Sequence, residues 1–245
     1  MTADAPSAQN PTIDETLAQQ QWRPNLSKLT AEFVGTAFLL AGVIGSGIMA
    51  ERLSEDVGLQ LFQNAFATAG ILVALILALG PVSGAHFNPA VTLASRALGG
   101  IDTPTAMSYV AAQISGGIVG VMSANVMFDL SVVNWSTKDR TDAHLVFAEG
   151  IATLGLLLVI YGVVRSGNAA TAAYAVGGYI AAAYYFTSST SFANPAVTIA
   201  RMFSNTFAGI GPSGVPAFIA AQIVATGVAV ALIRVIYPTE EPPNA

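Results

Sequence analysis

The sequence contains no cysteine, which excludes disulfides, thiolate nucleophiles and cysteine metal sites and leaves the redox compartment undetermined. Charge is almost as scarce. Only 9% of residues are Asp, Glu, Lys or Arg, against about 25% in an average soluble protein, so most of the side chains that would face water are missing. The net charge of −5 is spread over tails and loops with no Lys/Arg cluster able to track a phosphate backbone, and nucleic acid is excluded as a partner. With two histidines and no cysteine, neither a nucleophile–base–acid set nor a metal cluster can be assembled. The expectation is therefore no enzyme, no cofactor and no metal.

What remains is apolar. Hydrophobic residues make up 53% of the chain, and the mean hydropathy is +0.62. The stretches 57–95, 166–200 and 202–233 carry no charged residue, and each exceeds the ~20 residues a helical crossing of a bilayer needs. Apolar segments at 29–50, 59–80, 104–128, 145–165, 171–190 and 214–236 predict six transmembrane helices in an all-α membrane protein. Residues 1–28 are polar, without the basic start and short apolar core of a cleaved signal. They read as a cytoplasmic tail, because Arg23 and Lys28 precede the first span while Glu51, Glu55 and Asp56 offset Arg52 after it. After six crossings the 237–245 tail falls on the same side.

The run 57–95 is too long for one crossing and too short for two, so part of it re-enters the membrane. The surplus pieces are Ser83-Gly84-Ala85-His86-Phe87-Asn88-Pro89-Ala90-Val91-Thr92 and Ser191-Phe192-Ala193-Asn194-Pro195-Ala196-Val197-Thr198. Each holds a helix start inside apolar sequence. Asn caps free N–H groups, and Pro at the first helical position gives up only an N–H that has no intrahelical partner. A single Asn-Pro-Ala reads as an ordinary helix cap. Two copies in equivalent, charge-free places predict two short half-helices.

The halves of the chain repeat. Glu32 returns as Glu149, Asn-Pro-Ala-Val-Thr at 88–92 returns at 194–198, and Ala111-Ala112-Gln113-Ile114 returns as Ala220-Ala221-Gln222-Ile223. Three crossings per half is an odd number, so repeat 2 (about 144–236) lies inverted relative to repeat 1 (about 29–128). Non-helical backbone is tolerated at membrane depth only when buried in protein or lining a wet cavity, and two re-entrant pieces meeting tip to tip imply a pore. Both positive dipole ends then point at one spot on its axis, which disfavours a cation there. Asn88 and Asn194 supply amide donors, and the approaches 84–87 and 188–193 supply backbone carbonyls opposite an apolar wall. That combination suits small neutral polar solutes.

Over nearly all of 29–236 the chain resembles the aquaporin and aquaglyceroporin family, whose first pore loop is matched by residues 83–92 almost letter for letter. The resemblance implies a right-handed bundle of six helices plus two half-helices, one pore per subunit, a homotetramer, and a multi-pass protein of the plasma membrane, here a bacterial inner membrane. Counted without gaps from the two motifs, the family's outer constriction falls on Thr68, Ala182, Ser191 and Val197. Most members carry an arginine where this chain has Val197, and at least one aromatic in the ring. The expected ring is wide, uncharged and free of aromatics. Val197 resembles a bacterial subgroup associated with arsenic handling, which implies passage of arsenite and antimonite, methylated arsenicals, glycerol, urea and water. The lack of cysteine is compatible, since a soft thiolate would hold trivalent arsenic.

Other candidates have plainer readings beside the functional ones. Glu32 and Glu149 lie inside apolar helices, where an ionisable group suggests a proton relay, but their duplication favours support of the re-entrant loops. His86 has no ligand partners nearby and reads as a loop-orienting hydrogen-bonding group. Arg201 lies one turn beyond Val197 and is a candidate for the outer vestibule, with pairing to free carbonyls near the half-helix end as the favoured reading. Thr68 could instead back-bond its own helix. Gly116 and Gly120 form a GxxxG read as helix packing. Rival functions are a glycerol, urea and water facilitator without an arsenic role, an ion-coupled secondary transporter, and a junction protein with a closed pore.

Overall fold

The computed structural model describes residues 26–238; most of the 1–28 tail and residues 239–245 lie outside them. Among the described residues there are eight α-helices and two 3-10 turns, with no strand. In chain order the helices are α1 (Leu26–Leu53), α2 (Val57–Ser83), α3 (Pro89–Ala97), α4 (Thr103–Met127), α5 (Ala143–Arg165), α6 (Ala172–Phe186), α7 (Pro195–Ala200) and α8 (Val215–Ile236). Five of them, α1, α2, α4, α5 and α8, are long and apolar enough to cross a membrane. The fifth predicted span, 171–190, is shorter than expected. At about 1.5 Å per residue, the 15 residues of α6 span only about 22 Å. It stops at Phe186 because Thr187 turns to extended backbone, with φ of −109° and ψ of 135°.

Helix starts show how the same capping geometry is tuned to depth. Asp56 and Asp102 accept from Leu59 N and Thr105 N at 2.9 Å at the exposed starts of α2 and α4. The buried starts of α3 and α7 use Asn88 and Asn194 instead. A carboxylate there would carry an unshared charge into a low dielectric, whereas an amide caps without one.

Packing repeats between the halves. α1 lies on α2 and α4, and α5 lies on α6 and α8. Each half-helix also crosses to the other repeat, α3 packing on α8 and α7 on α4, so the two repeats interlock. Close approach of α1 and α4 depends on the predicted GxxxG. A Cβ on Gly116 would stand 2.2 Å from Phe33 O, and one on Gly120 would stand 2.1 Å from Ala37 O. α2 and α6 run antiparallel, since Thr68 meets Tyr184 while Ala69 and Val73 meet Gly177.

Candidate solute-conducting site

The two half-helices meet tip to tip through a reciprocal pair of hydrogen bonds. Asn88 Nδ2 donates to Ala193 O and Asn194 Nδ2 donates to Phe87 O, each at 2.8 Å. The side-chain oxygens point the other way and cap the helices: Asn88 Oδ1 accepts from Ala90 N at 2.8 Å, and Asn194 Oδ1 accepts from Ala196 N at 3.0 Å and Val197 N at 3.2 Å. Pro89 and Pro195 occupy the first helical positions, and Ala90 and Ala196 are fully buried beneath them. An amide nitrogen carries two hydrogens and each is committed once across the junction, which leaves one donor per Asn for the cavity both residues line.

Short left-handed backbone shapes the approaches. Ala85 and Phe87 have φ of 49° and 48°, and Ser191 and Ala193 have 51° and 49°. Such φ values cost non-glycine residues about 1–2 kcal/mol each. What holds them is the pair of buried glutamates. Glu32 accepts from Ser83 Oγ at 2.6 Å, His86 N at 2.9 Å, Phe87 N at 2.7 Å and Gln113 Nε2 at 2.8 Å. Glu149 accepts from Phe192 N, Ala193 N and Gln222 Nε2, all at 2.8 Å. Neither carboxylate lines the cavity, and their oxygens are used on loop support. Each of the four carboxylate oxygens thus accepts at least one bond from a re-entrant loop or a neighbouring helix. His86 sets its Nδ1 3.1 Å from Thr92 Oγ1 and its ring edge-on to Tyr109, and also lines the cavity. The carbonyls of Gly84, Ala85, His86, Ser191 and Phe192, all on cavity-lining residues, have no protein donor among the described residues.

One cavity of about 590 Å³ runs past both Asn tips. Beyond His86 it is walled by small and aliphatic residues such as Leu77, Gly80 and Ala169. Around Asn194 it is walled by Thr68, Tyr184, Ser191, Val197 and Arg201. Acceptors and hydroxyls thus face aliphatic groups along a path with its two cap amides at the centre.

A profile of the Major intrinsic protein family matches residues 19–171. The chain is 46% identical to the aquaglyceroporin AqpS of Rhizobium meliloti (strain 1021) over 207 residues, which cover 84% of this chain and 88% of that protein. The chain belongs to the major intrinsic protein family. It is also 30% identical to the aquaporin NIP1-1 of Arabidopsis thaliana over 155 residues, covering 60% of this chain and 52% of the relative. The X-ray structure of the aquaglyceroporin from Plasmodium falciparum superposes with a TM-score of 0.70, covering 87% of this chain and 97% of that one at 20% identity, which shows a shared fold. The fold is the inverted repeat of that family. The protein is an aquaglyceroporin-type channel for small solutes and not an enzyme.

Within this major intrinsic protein the counted constriction needs correcting. Thr68, Ser191 and Val197 line the cavity, but Ala182 faces outward from α6 and is exposed. Tyr184, two residues further along, lines the cavity instead. Two residues along a helix is a rotation of about 200°, so the count landed on the opposite face. The inward face is set by the packing of α6 on α2, where Tyr184 meets Thr68 and Gly177 meets Val73, and a count along the chain carries no information about it. The lining beside Thr68 therefore contains an aromatic, and its hydroxyl lies 3.0 Å from Thr68 Oγ1, whose alternative of back-bonding its own helix is not taken up. Nor is the wall uncharged. Arg201, 2% exposed, borders the cavity, and its Nε donates to Ala208 O. The hydrophobic run Ala181-Ala182-Ala183 hid the choice of face. Only the hydroxyl of Tyr184, which needs a partner once buried, was a signal that could have found it.

Proposed function

We propose that this channel carries small uncharged solutes passively through the cavity that runs past both Asn tips, and that metalloid hydroxides such as arsenite and antimonite are among them, with methylated arsenicals, glycerol, urea and water. The observation that carries the reading is the composition of the cavity near Asn194. Hydroxyls of Thr68, Tyr184 and Ser191 lie there against the aliphatic side chain of Val197. A neutral trihydroxide or triol presents several hydroxyls around a less polar centre, and such a wall can replace part of its hydration without binding it tightly. Ser191 Oγ is buried and has no hydrogen-bond partner among the described residues, which leaves it available to a passing hydroxyl. Val197, lacking a charged head group, also leaves more room than a guanidinium would.

We assign the pore-lining role to the Asn88 and Asn194 motifs and loop support to Glu32, Glu149 and His86. The working unit is a homotetramer in a lipid bilayer, taken as a bacterial inner membrane, with both termini cytoplasmic.

The test is a solute panel in proteoliposomes. Arsenite and glycerol flux should be non-saturating, bidirectional and indifferent to proton or sodium gradients. Uphill accumulation driven by either gradient would move the protein to the transporter class, and no flux of any solute to the closed junction class. Glycerol and urea flux with arsenite excluded would leave a general facilitator. Val197→Arg should cut arsenite and glycerol flux more than water flux.

A further inference from the structure

Arg201 stands in an unusual position for a charge in this chain. It follows α7 directly, and side chains on a helix tilt toward its N-terminus, so the guanidinium reaches back along the half-helix toward the membrane interior. Its carbon ζ lies 3.4 Å from the centroid of the Phe192 ring. Nε is spent on Ala208 O, while Nη1 and Nη2 have no hydrogen-bond partner and no carboxylate pairs with the group among the described residues. A guanidinium that is 2% exposed and unpaired is costly at this depth unless it borders a wet passage, and it borders the cavity.

A second guanidinium addresses the same ring. Arg140 carbon ζ is 5.0 Å from the Phe192 centroid, with Nε donating to Gly209 O and Nη1 to Ser189 O, each at 3.0 Å. Arg140 belongs to the segment between α4 and α5, which lies along the chain after α7. Asn134 N and Ser136 N donate to Phe203 O and Met202 O, and Gly211 N donates to Lys138 O. Arg140 does not border the cavity; it fastens the ring on which Arg201 lies.

We propose that Arg201 is the fixed charge that excludes cations from this conduit, restoring from one helical turn further along the charge that Val197 lacks, and that Arg140 is a positioning residue acting through Phe192. The inference rests on the channel reading and adds the residue that sets its charge selectivity. With the two positive half-helix tips, Arg201 gives the path a second positive station, so a cation meets two barriers in series.

The experiment uses the full-length protein in proteoliposomes, with sodium and guanidinium entry under an imposed membrane potential and glycerol flux read in the same vesicles. Arg201→Gln should raise the cation-to-glycerol ratio on the order of 30-fold, the effect of one charge about 8 Å away at an effective dielectric of about 20. Arg201→Lys, which keeps the charge, should stay much nearer the wild type. Phe192→Leu should raise the ratio by a smaller factor, because the charge of Arg201 remains but loses its seat; Arg140→Gln, which unfastens the ring and also removes a positive charge outside the cavity, should raise it as well. An unchanged ratio in Arg201→Gln with glycerol flux retained overturns the proposal, as does an equal rise of both fluxes, which would mean a widened path. Should Arg201→Gln fail to insert, unchanged ratios in both Phe192→Leu and Arg140→Gln overturn it. A wild type that passes no glycerol overturns the channel reading instead.

Discussion

The amide nitrogen of Asn88 lies 2.8 Å from the carbonyl oxygen of Ala193, 105 positions further along the chain. The bond makes each half-helix tip part of the other repeat's loop, and its mirror from Asn194 to Phe87 makes the junction symmetric. Each Asn thus caps its own helix with oxygen and clamps the opposite loop with nitrogen.

Asn88→Ala removes a cap, worth about 1 kcal/mol, and strands a buried carbonyl at about 1–3 kcal/mol. Asn194→Ala removes the same two interactions. The two variants should therefore lower the thermal unfolding midpoint in detergent by similar amounts, and Asn88→Asp, which puts an anion against the Ala193 carbonyl, by more. An Asn194→Ala protein as stable as the wild type contradicts the reciprocal clamp.

Glu149→Ala leaves Phe192 N, Ala193 N and Gln222 Nε2 without their acceptor, a loss of about 3–5 kcal/mol or more. Glu149→Gln keeps one acceptor oxygen but turns an amide donor toward N–H groups. Both should deplete folded protein in detergent-solubilised extracts, the alanine variant more severely. A stable Glu149→Gln channel whose flux responds differently to a proton gradient would assign the relay role instead.

Tyr184 and Ala182 sit on opposite faces of α6 and give a paired test. Tyr184→Ala should admit solutes larger than glycerol, read as a shift in the size cutoff of a polyol series. Ala182→Leu adds volume on the outer face and should leave that cutoff where it was. Tyr184→Phe keeps the ring but leaves the Thr68 hydroxyl without its partner, and should lower glycerol flux without moving the cutoff.

Lys138 lies outside the spans, where its Nζ donates to Phe207 O at 2.7 Å. Partial burial, then the positive charges of Arg140 and Arg201, push its amine down to about 8, with Glu51 opposing. A lowered value means that the neutral amine is favoured, so Lys138 is mostly charged at pH 7 and mostly neutral at pH 9. Acylation mapped by mass spectrometry should be half-maximal near pH 8 rather than at the ~10.4 of an ordinary lysine. Arg201→Gln should move that midpoint upward, because it deletes one of the charges that lowers it. A midpoint unmoved by that substitution would separate the two cations in space.

Element positions were readable because bilayer thickness and the cost of an unpaired backbone group act on the local sequence. The boundaries of α1, α2, α4, α5 and α8 fall within three residues of the apolar segments, and Asn-Pro-Ala marks both half-helix starts. An acid repeated at equivalent places in both halves points to a shared backbone geometry, and Glu32 and Glu149 each accept from two N–H groups of a re-entrant loop. For Arg201 the favoured reading is pairing with free carbonyls near the half-helix end; in the structure its Nε donates to Ala208 O and the residue also borders the cavity.

By itself the sequence determined a lipid-facing chain, an inverted repeat and two helix starts at membrane depth, since each follows from short-range patterns of charge, hydropathy and capping. Tertiary structure alone decided which groups surround the conduit. Tyr184 rather than Ala182 faces inward because α6 packs on α2 with Tyr184 against Thr68, a contact between residues 116 positions apart. Arg201 reaches the cavity because a stacked ring and a loop from between α4 and α5 hold it there. Rotational phase and through-space stacking depend on residues far apart in the chain, and no local pattern encodes them.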